Sequence, residues 1–423
     1  MDVARDGMGA GLFNQFTTRF TMRLFMLLLT GLIPGLAASA PVSGLPPYRA
    51  LIEVSASSGR SDQIVQVEVD FTGLLRQAGS RRPFAPDSLR LAEVDDGGRA
   101  VNWDVPFQFD PAPDFDAARR AQGTLVFLLR PAFTAASTRR FYLYFGDTRR
   151  KHVPARFDPL VKCEEIGIYQ GDETFRITTP AATYYYHKHG SGFASMVDRD
   201  GHDWISYRPE GGAKGNYRGI PNIAPAGFHP GPGEGNKPSR VAAQGPLRVR
   251  IFSETKDERW ALQWDVYPWH ATMTLLRKGP EAYWILYEGT PGGELDLEDY
   301  WVDSSGRRFE MRPYQGVQNA WHGDLPDPEW VYFGDAKLER VLFLLLHEKE
   351  PVVDEFWHFG PGGMTVFGFG RGPKEGGWQR LQRAPARFSI GFVESAGFEE
   401  AARAVRRALQ PPRVSVGAGQ RVR

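Results

Sequence analysis

Residues Tyr184 to His189 read Tyr-Tyr-Tyr-His-Lys-His, six consecutive side chains able to donate or take a proton. In an extended strand, Tyr185, His187 and His189 share one face, and Tyr184, Tyr186 and Lys188 share the other. Imidazole titrates near neutrality and serves as general acid or base, while a phenol can relay a proton to a leaving oxygen. The face bearing Tyr185, His187 and His189 is therefore the first candidate for proton transfer. The competing reading is that the tyrosines fill a wide sheet and the histidines are solvated.

The segment from Arg208 to Arg240 holds eight glycines and six prolines and shows no strand or helix pattern. Loops of this length inside a compact domain are commonly functional or disordered. Its core, Asn216-Tyr217-Arg218-Gly219-Ile220-Pro221-Asn222, carries an aromatic and an isoleucine placed to dock an ordered loop. Arg218 with Asn216 would hold a carboxylate, because guanidinium presents a planar fork to it. The alternative is that Arg218 pairs with a structural aspartate. His229 lies in the same segment.

Further along, Trp269 and His270 end a strand, and Glu288 precedes a glycine turn. Trp321, His322 and Trp330 sit in a polar stretch. Indole faces stack on the apolar C–H faces of sugars, although buried tryptophan is the commoner fate. Asn216, Tyr217, His229, Trp269, His270, Glu288, Trp321 and His322 form the substrate-contacting set; Tyr185, His187, His189 and Arg218 form the catalytic set. His347 and His358 lie among acids without the spacing of a helix-borne zinc site and read as a solvated strand end and loop. Asp198, Asp200 and Asp203 faintly match a calcium loop but lack its distal glutamate, and Asp198-Arg199-Asp200-Gly201 reads as a turn. No cofactor is expected; a structural or catalytic Ca2+ stays open. Walker, Rossmann and nucleophile-elbow motifs are all missing, as are paired metal-ligand cysteines. A net charge of +1 without a basic block argues against nucleic acid.

The elements that must position these groups are strands. Val65, Val67, Val69 and Phe71 alternate with polar residues, and the runs 124–129 and 139–145 follow. Residues 41–158 have the length of a small β-sandwich. In the block 159–412, Leu247, Val249 and Ile251 alternate with Arg248 and Arg250, and further strand runs continue to Glu394. One amphipathic helix appears, its stripe formed by Phe398, Ala401, Ala402, Val405 and Leu409, with Ser395 as its expected cap. The tail 413–423 should be loose. The expectation is an all-β chain, an N-terminal sandwich followed by one large antiparallel β-supersandwich and a C-terminal helix. Ten of the eleven tryptophans and eight of the nine histidines lie in the second block, which therefore carries the function.

Residues 1–40 read as an export signal. Arg19 and Arg23 flank an apolar run of about 13 residues, short of the ~20 that span a bilayer, and Ala37-Ala38-Ser39-Ala40 suits cleavage. A periplasmic or extracellular setting follows, with no stable membrane span after cleavage. The single cysteine, Cys163, excludes an internal disulfide framework and reads as a free buried thiol.

Gly190, Gly192, Phe193 to Asp198, Asp200, Gly201 and Trp204 form a strand with a glycine pair, then an Asp-x-Asp-Gly turn and an aromatic. This hairpin resembles the opening of galactose-mutarotase-like β-supersandwiches, a fold shared by polysaccharide lyases, sugar epimerases and non-catalytic glycosidase domains. Tyr48-Arg49 and Tyr142 to Gly146 resemble the ends of N-terminal sandwich modules of secreted bacterial proteins. The resemblance implies a fold more than a chemistry. Three functions fit. The first is a lyase cleaving an acidic, uronate-containing polysaccharide or oligosaccharide by β-elimination: Arg218 and Asn216 neutralise the carboxylate, and His187 or His189 with Tyr185 move protons. The second is a glycoside hydrolase using Glu288 and another carboxylate. The third is a non-catalytic glycan-binding or envelope protein.

Overall fold

The structure, a computed structural model, describes residues 44–55, 62–130, 137–373 and 377–422; the candidate export signal lies outside the described residues. Among the described residues, no helix is long and apolar enough to cross a membrane. The architecture is all-β. Two nine-stranded antiparallel sheets make up the larger part, and a six-stranded and a three-stranded sheet make up the smaller.

In the smaller part, the strand Gln63–Asp70 pairs with Gln122–Leu129, and Tyr48–Ser55 pairs with Thr138–Asp147. Val65, Val69, Leu125, Phe127, Ile52, Val54 and Phe141 meet in one core between the sheets. The short helix Phe71–Gln77 was not foreseen. It follows directly from a strand, and the Asp70 side chain caps it by accepting the Gly73 N–H at 3.1 Å. The tail, expected from the sequence to be loose, is instead paired into the sheet. Arg413–Val416 and Gln420–Arg421 pair with the otherwise open edge of Tyr48–Ser55, and Val414 and Val416 pack on its core. An unpaired edge offers backbone donors and acceptors that a nearby extended segment can satisfy.

In the larger part, the first sheet runs Trp321–Gly323, Asp354–His358, Thr365–Phe369, Ile285–Gly289, Gly219–Asn222, Gly192–Asp198, Ala182–His187, Asp172–Thr178 and Lys162–Tyr169. The second runs Arg240–Gln244, Val249–Glu254, Ala261–Val266, Ala271–Arg277, Ala386–Val393, Val341–Leu346, Trp330–Gly334, Tyr300–Asp303 and Arg308–Glu310. Their inward residues share one core, where Phe193 of the first sheet meets Trp264 of the second edge to face at 4.7 Å.

The second sheet is covered on its outer side as well. The helix Phe398–Leu409 lays Ala401, Ala402 and Val405 over Tyr300, Tyr332 and Val341. Its N-terminal cap is Gly397, with Ser395 accepting only the Gly397 N–H, so Ser395 is not the cap. Elsewhere the three-stranded sheet covers Leu247 and Tyr267 with Ile64, Val126 and Leu128. Arg248 alternates outward as the sequence implies, yet it is fully buried under that cover. Its Nε donates to Asp110 Oδ2 at 2.9 Å and its Nη1 to Gln66 Oε1 at 2.6 Å, with Asp265 3.8 Å away. Gln108 Oε1 accepts the N–H groups of Leu247 and Arg248, each at 2.8 Å. A polar knot of strands 63–70 and 107–111 thus fastens the smaller part to the larger.

Removing one partner of a buried pair leaves an uncompensated charge, which costs about 3 kcal/mol or more. Asp110→Ala should therefore lower the unfolding free energy by about 3 kcal/mol in urea titration; a loss under ~1 kcal/mol would show that Asp265 alone suffices to hold Arg248.

Candidate active site

The helix and the three-stranded sheet cover part of the second sheet's outer face, whereas the outer face of the first sheet gathers a cluster of carboxylates, imidazoles and indoles. Register defines it. Glu355 lies opposite Gly368, which lies opposite Leu286, and Trp357 opposes Val366, which opposes Glu288. His322 opposes Glu355, and Gly219 opposes Glu288. All of these side chains share a face, while Phe356, Phe367 and Tyr287 between them enter the core.

Glu288 is the centre of this face. Asn222 Nδ2 donates to its Oε2 at 2.7 Å, and His229 Nε2 stands 3.7 Å from the same oxygen. Gly219 makes room for the Pro230 ring and for the imidazole beside it: a Cβ there would lie 2.4 Å from Pro230 Cδ and 3.0 Å from His229 Nε2. His229 Nδ1 is 2.7 Å from the Pro230 carbonyl, which can only accept, so Nδ1 carries the proton. Nε2 lies between the Tyr217 carbonyl at 3.4 Å and Glu288 Oε2 at 3.7 Å. Burial pushes the Glu288 carboxyl up to about 7, with Asn222 and Arg371 pulling the other way. Burial also lowers His229, with the Pro230 and Tyr217 carbonyls opposing it. A carboxyl that keeps its proton to neutrality thus faces an imidazole that is neutral there.

Beside this pair lies a second group. Arg371 Nε is 3.0 Å from Glu355 Oε1, without the alignment of a hydrogen bond. Its guanidinium lies 5.1 Å from the Trp284 ring, 5.7 Å from Trp378 and 6.0 Å from Trp357. Gly368 makes room for it, since a Cβ there would lie 2.9 Å from Arg371 Cβ. Glu355 also accepts from Trp357 Nε1 at 3.0 Å and meets His322 Nε2 at 3.0 Å. Trp378 is 46% exposed and forms the outer wall.

The sequence-derived candidates divide. His229, Glu288 and His322 come together on this face. Tyr217 contributes its carbonyl, 3.4 Å from His229 Nε2; its side chain is 55% exposed, and Asn216 is exposed on the same loop. Arg218 is no carboxylate clamp. Its guanidinium is buried and donates to the carbonyls of Ala213, Ser206, Gly362 and Gly363 at 2.9–3.3 Å, pinning the loop to the sheet. The segment 208–240 is ordered, and its Gly219–Asn222 is itself a strand of the first sheet.

The Tyr185–His187–His189 face is not a free acid/base face either. Tyr184 and Tyr186 point into the core as alternation requires, but the 208–240 segment folds over the other side. His187 is fully buried, accepts the Gly231 N–H at 3.0 Å through Nδ1, and packs edge-on against Tyr207. Burial lowers it to about 4, partly offset by Asp172. Tyr185 stacks on Tyr169 at 4.3 Å. His189 lies past the strand end, in a turn, with Nδ1 2.6 Å from Asp172 Oδ1.

Trp269 and His270 belong to the other sheet. Trp269 packs beneath the three-stranded sheet, and His270 lies against Tyr267. Trp321 packs edge-on to the core residue Trp301 at 5.2 Å. His347 and His358 are not solvated: His347 Nε2 meets Ser389 Oγ and His358 Nε2 meets the Met311 carbonyl, each at 2.8 Å. Asp198 is a structural anchor for Arg340 at 2.7 Å and Trp204 at 3.0 Å, and Gly201 closes its turn at φ +96°. Cys163 is half-buried, its thiol pushed up to about 12 by burial.

Glu355, Trp357, Trp284, Trp378, Arg371 and Asn222 were not singled out from sequence. The i, i+2 spacing of Glu355 and Trp357 could have placed those two on one face. Arg371 carries no local signal.

No protein-family model matches the chain, and no curated protein matches it. Among solved structures, it is similar to an α-mannosidase from Enterococcus faecalis, with TM-score 0.43 and 11% identity over 88% of this chain and 46% of that one. A putative mutarotase from Salmonella typhimurium matches with TM-score 0.36 and 12% identity over 57% of this chain and 96% of that one. A galactose mutarotase related enzyme from Lactobacillus acidophilus matches with TM-score 0.38 and 9% identity over 52% and 98%. The chain thus spans about half the length of the mannosidase it matches.

The raised carboxyl sets a pH dependence. The folded chain holds the Glu288 proton to about 7, against an ordinary value of 4.5. Its contribution to stability is present in full below the ordinary value and is lost as pH rises through 7. The stability of Glu288→Gln relative to the parent should therefore grow by about 3 kcal/mol from pH 4.5 to pH 8 in urea unfolding. A constant difference would mean that Glu288 titrates normally.

Proposed function

We propose that this chain is a carbohydrate-active enzyme that cleaves glycosidic bonds at the outer face of the first sheet, with Glu288 as proton donor. The observation that carries this reading is a buried carboxyl, protonated to about pH 7, 3.7 Å from the imidazole of His229. Protonating the leaving oxygen is the step that glycoside cleavage needs from an acid, and a carboxyl supplies it near neutrality only when its environment raises it. The indole of Trp378, 46% exposed, offers an apolar face on which a sugar ring stacks, with Arg371 behind it.

Hydrolysis would use Glu355 as the second carboxylate. It stands two strands and two residues from Glu288, roughly 12 Å between Cα atoms from strand spacing and rise. An inverting mechanism would place a water between the two carboxyl groups, which must then stand roughly 6.5–9.5 Å apart. Elimination from a uronate, hence an acidic glycan, is the second reading. It is favoured by Glu288 and His229 lying side by side, which suits a base and an acid acting on the same face of the sugar ring. Export is proposed as the setting, on the basic and apolar N-terminus; a secreted chain beginning beyond Ala40 by mass spectrometry would bear this out, and retention of residues 1–40 would refute it.

Incubation with neutral and acidic polysaccharides, followed by assay of new reducing ends and of ultraviolet absorbance from unsaturated uronate, tests the reading. Reducing ends without absorbance mean hydrolysis; both together mean elimination. Glu288→Gln should lower either rate ~100-fold or more, chiefly in kcat, whereas Trp378→Ala should mainly raise KM. Neither signal, with binding retained on a glycan affinity gel, would overturn the enzymatic reading in favour of a glycan-binding protein.

A further inference from the structure

A separate cluster lies where the two large sheets meet at one end. Glu329 immediately precedes the strand Trp330–Gly334 of the second sheet, and Asp354 opens the strand Asp354–His358 of the first. Glu350 stands in the connection between Val341–Leu346 and Asp354–His358. One carboxylate oxygen of each can be chosen so that all three lie within 4.8 Å of one another. Oxygens bound at about 2.4 Å to one ion span at most about that distance.

Glu329 is the telling member. It is 2% exposed, and both of its carboxylate oxygens are buried without an N–H or hydroxyl donor; the group beside them is the Glu350 carboxyl. Glu350 Oε1 is likewise unpartnered, while its Oε2 accepts the Val352 N–H at 2.8 Å. Asp354, fully buried, accepts the N–H groups of Gly370 and Leu325 at 2.9 and 3.3 Å, which fixes its orientation and leaves lone pairs free. Burial disfavours the ionised forms and mutual repulsion adds to that, so either shared protons or a cation must compensate. Lys349 does not serve, because it pairs with Asp327 and its side chain is 83% exposed. Glu329 lines a surface cleft with Asp327, Glu348 and Lys349, and Glu350 lines another that shares Leu346 and Glu348 with it.

We infer that Glu329, Glu350 and Asp354 bind a hard divalent cation, Ca2+ by preference, that ties the two large sheets together. The donor set is all oxygen and all anionic, which selects Ca2+ or Mg2+ over the nitrogen- and sulfur-loving metals. Ca2+ is preferred because it accepts irregular geometry and completes its shell with carbonyls or water. The next residue after Asp354 is Glu355, so the ion would also steady the strand that carries Glu355 and Trp357 into the candidate active site.

The test is calorimetric titration of the EDTA-treated, exchanged full chain with CaCl2, MgCl2 and ZnCl2, with melting temperature as a second readout. One Ca2+ per chain is expected, with Kd of about 1 mM or tighter and a melting point raised by several degrees. Binding of Mg2+ at one per chain would also support the site. Glu350→Gln, at a half-buried position, should weaken binding by about tenfold or more, and Glu329→Gln should abolish it. Should Glu329→Gln fail to fold, Glu350→Gln decides. No Ca2+ or Mg2+ binding by the parent chain would mean that the carboxyls share protons instead, and would overturn the inference. Zn2+ binding alone, or Ca2+ binding undiminished in Glu350→Gln, would overturn it too.

Discussion

Two nine-stranded sheets bury their facing sides in one shared core, and much else about the protein follows from that. Strand side chains alternate, so each strand gives half its residues to the core and leaves half outside. The outer side of the second sheet is then covered twice, by the helix Phe398–Leu409 and by the three-stranded sheet. The outer face of the first sheet carries the cluster around Glu288 and Glu355.

Cover of this kind changes what an outward residue means. Arg248 alternates outward and is still fully buried, so it needs Asp110 and Gln66, with Asp265 nearby, to hold its charge. His187 alternates outward and is sealed by the segment 208–240. Arg218, the residue best suited by type to grip a substrate carboxylate, instead holds that segment down through four carbonyls. In each case a group that could act on a ligand is occupied in building the scaffold, because a buried polar group must find partners.

Glu288 and Arg371 show the opposite outcome. Both are buried, but Glu288 is only partly compensated, by Asn222 and a distant Arg371, and therefore holds a proton that a solvated glutamate would lose. Arg371 sits among three indoles and beside Glu355, so the aromatic wall and the carboxylate are organised by one guanidinium. The surrounding packing gives both groups properties that their residue types do not announce.

The all-β class, the strands around Val65, Val249 and Trp264, the turn at Asp198 to Gly201, and the apolar stripe of the C-terminal helix are all legible in the residues themselves. These rest on local periodicity and turn chemistry, which a single segment carries within itself. The sequence also pointed to Glu288, His229 and His322 as residues worth weighing. Only the tertiary structure decided that these three share a face, and that Glu355, Trp357 and Arg371 join them. It likewise removed Arg218, His187, Trp269 and His270 from the site and paired the tail with Tyr48–Ser55. Those outcomes depend on which strand lies beside which and on what covers each face, and segments more than a hundred residues apart fix that only when the chain closes on its core.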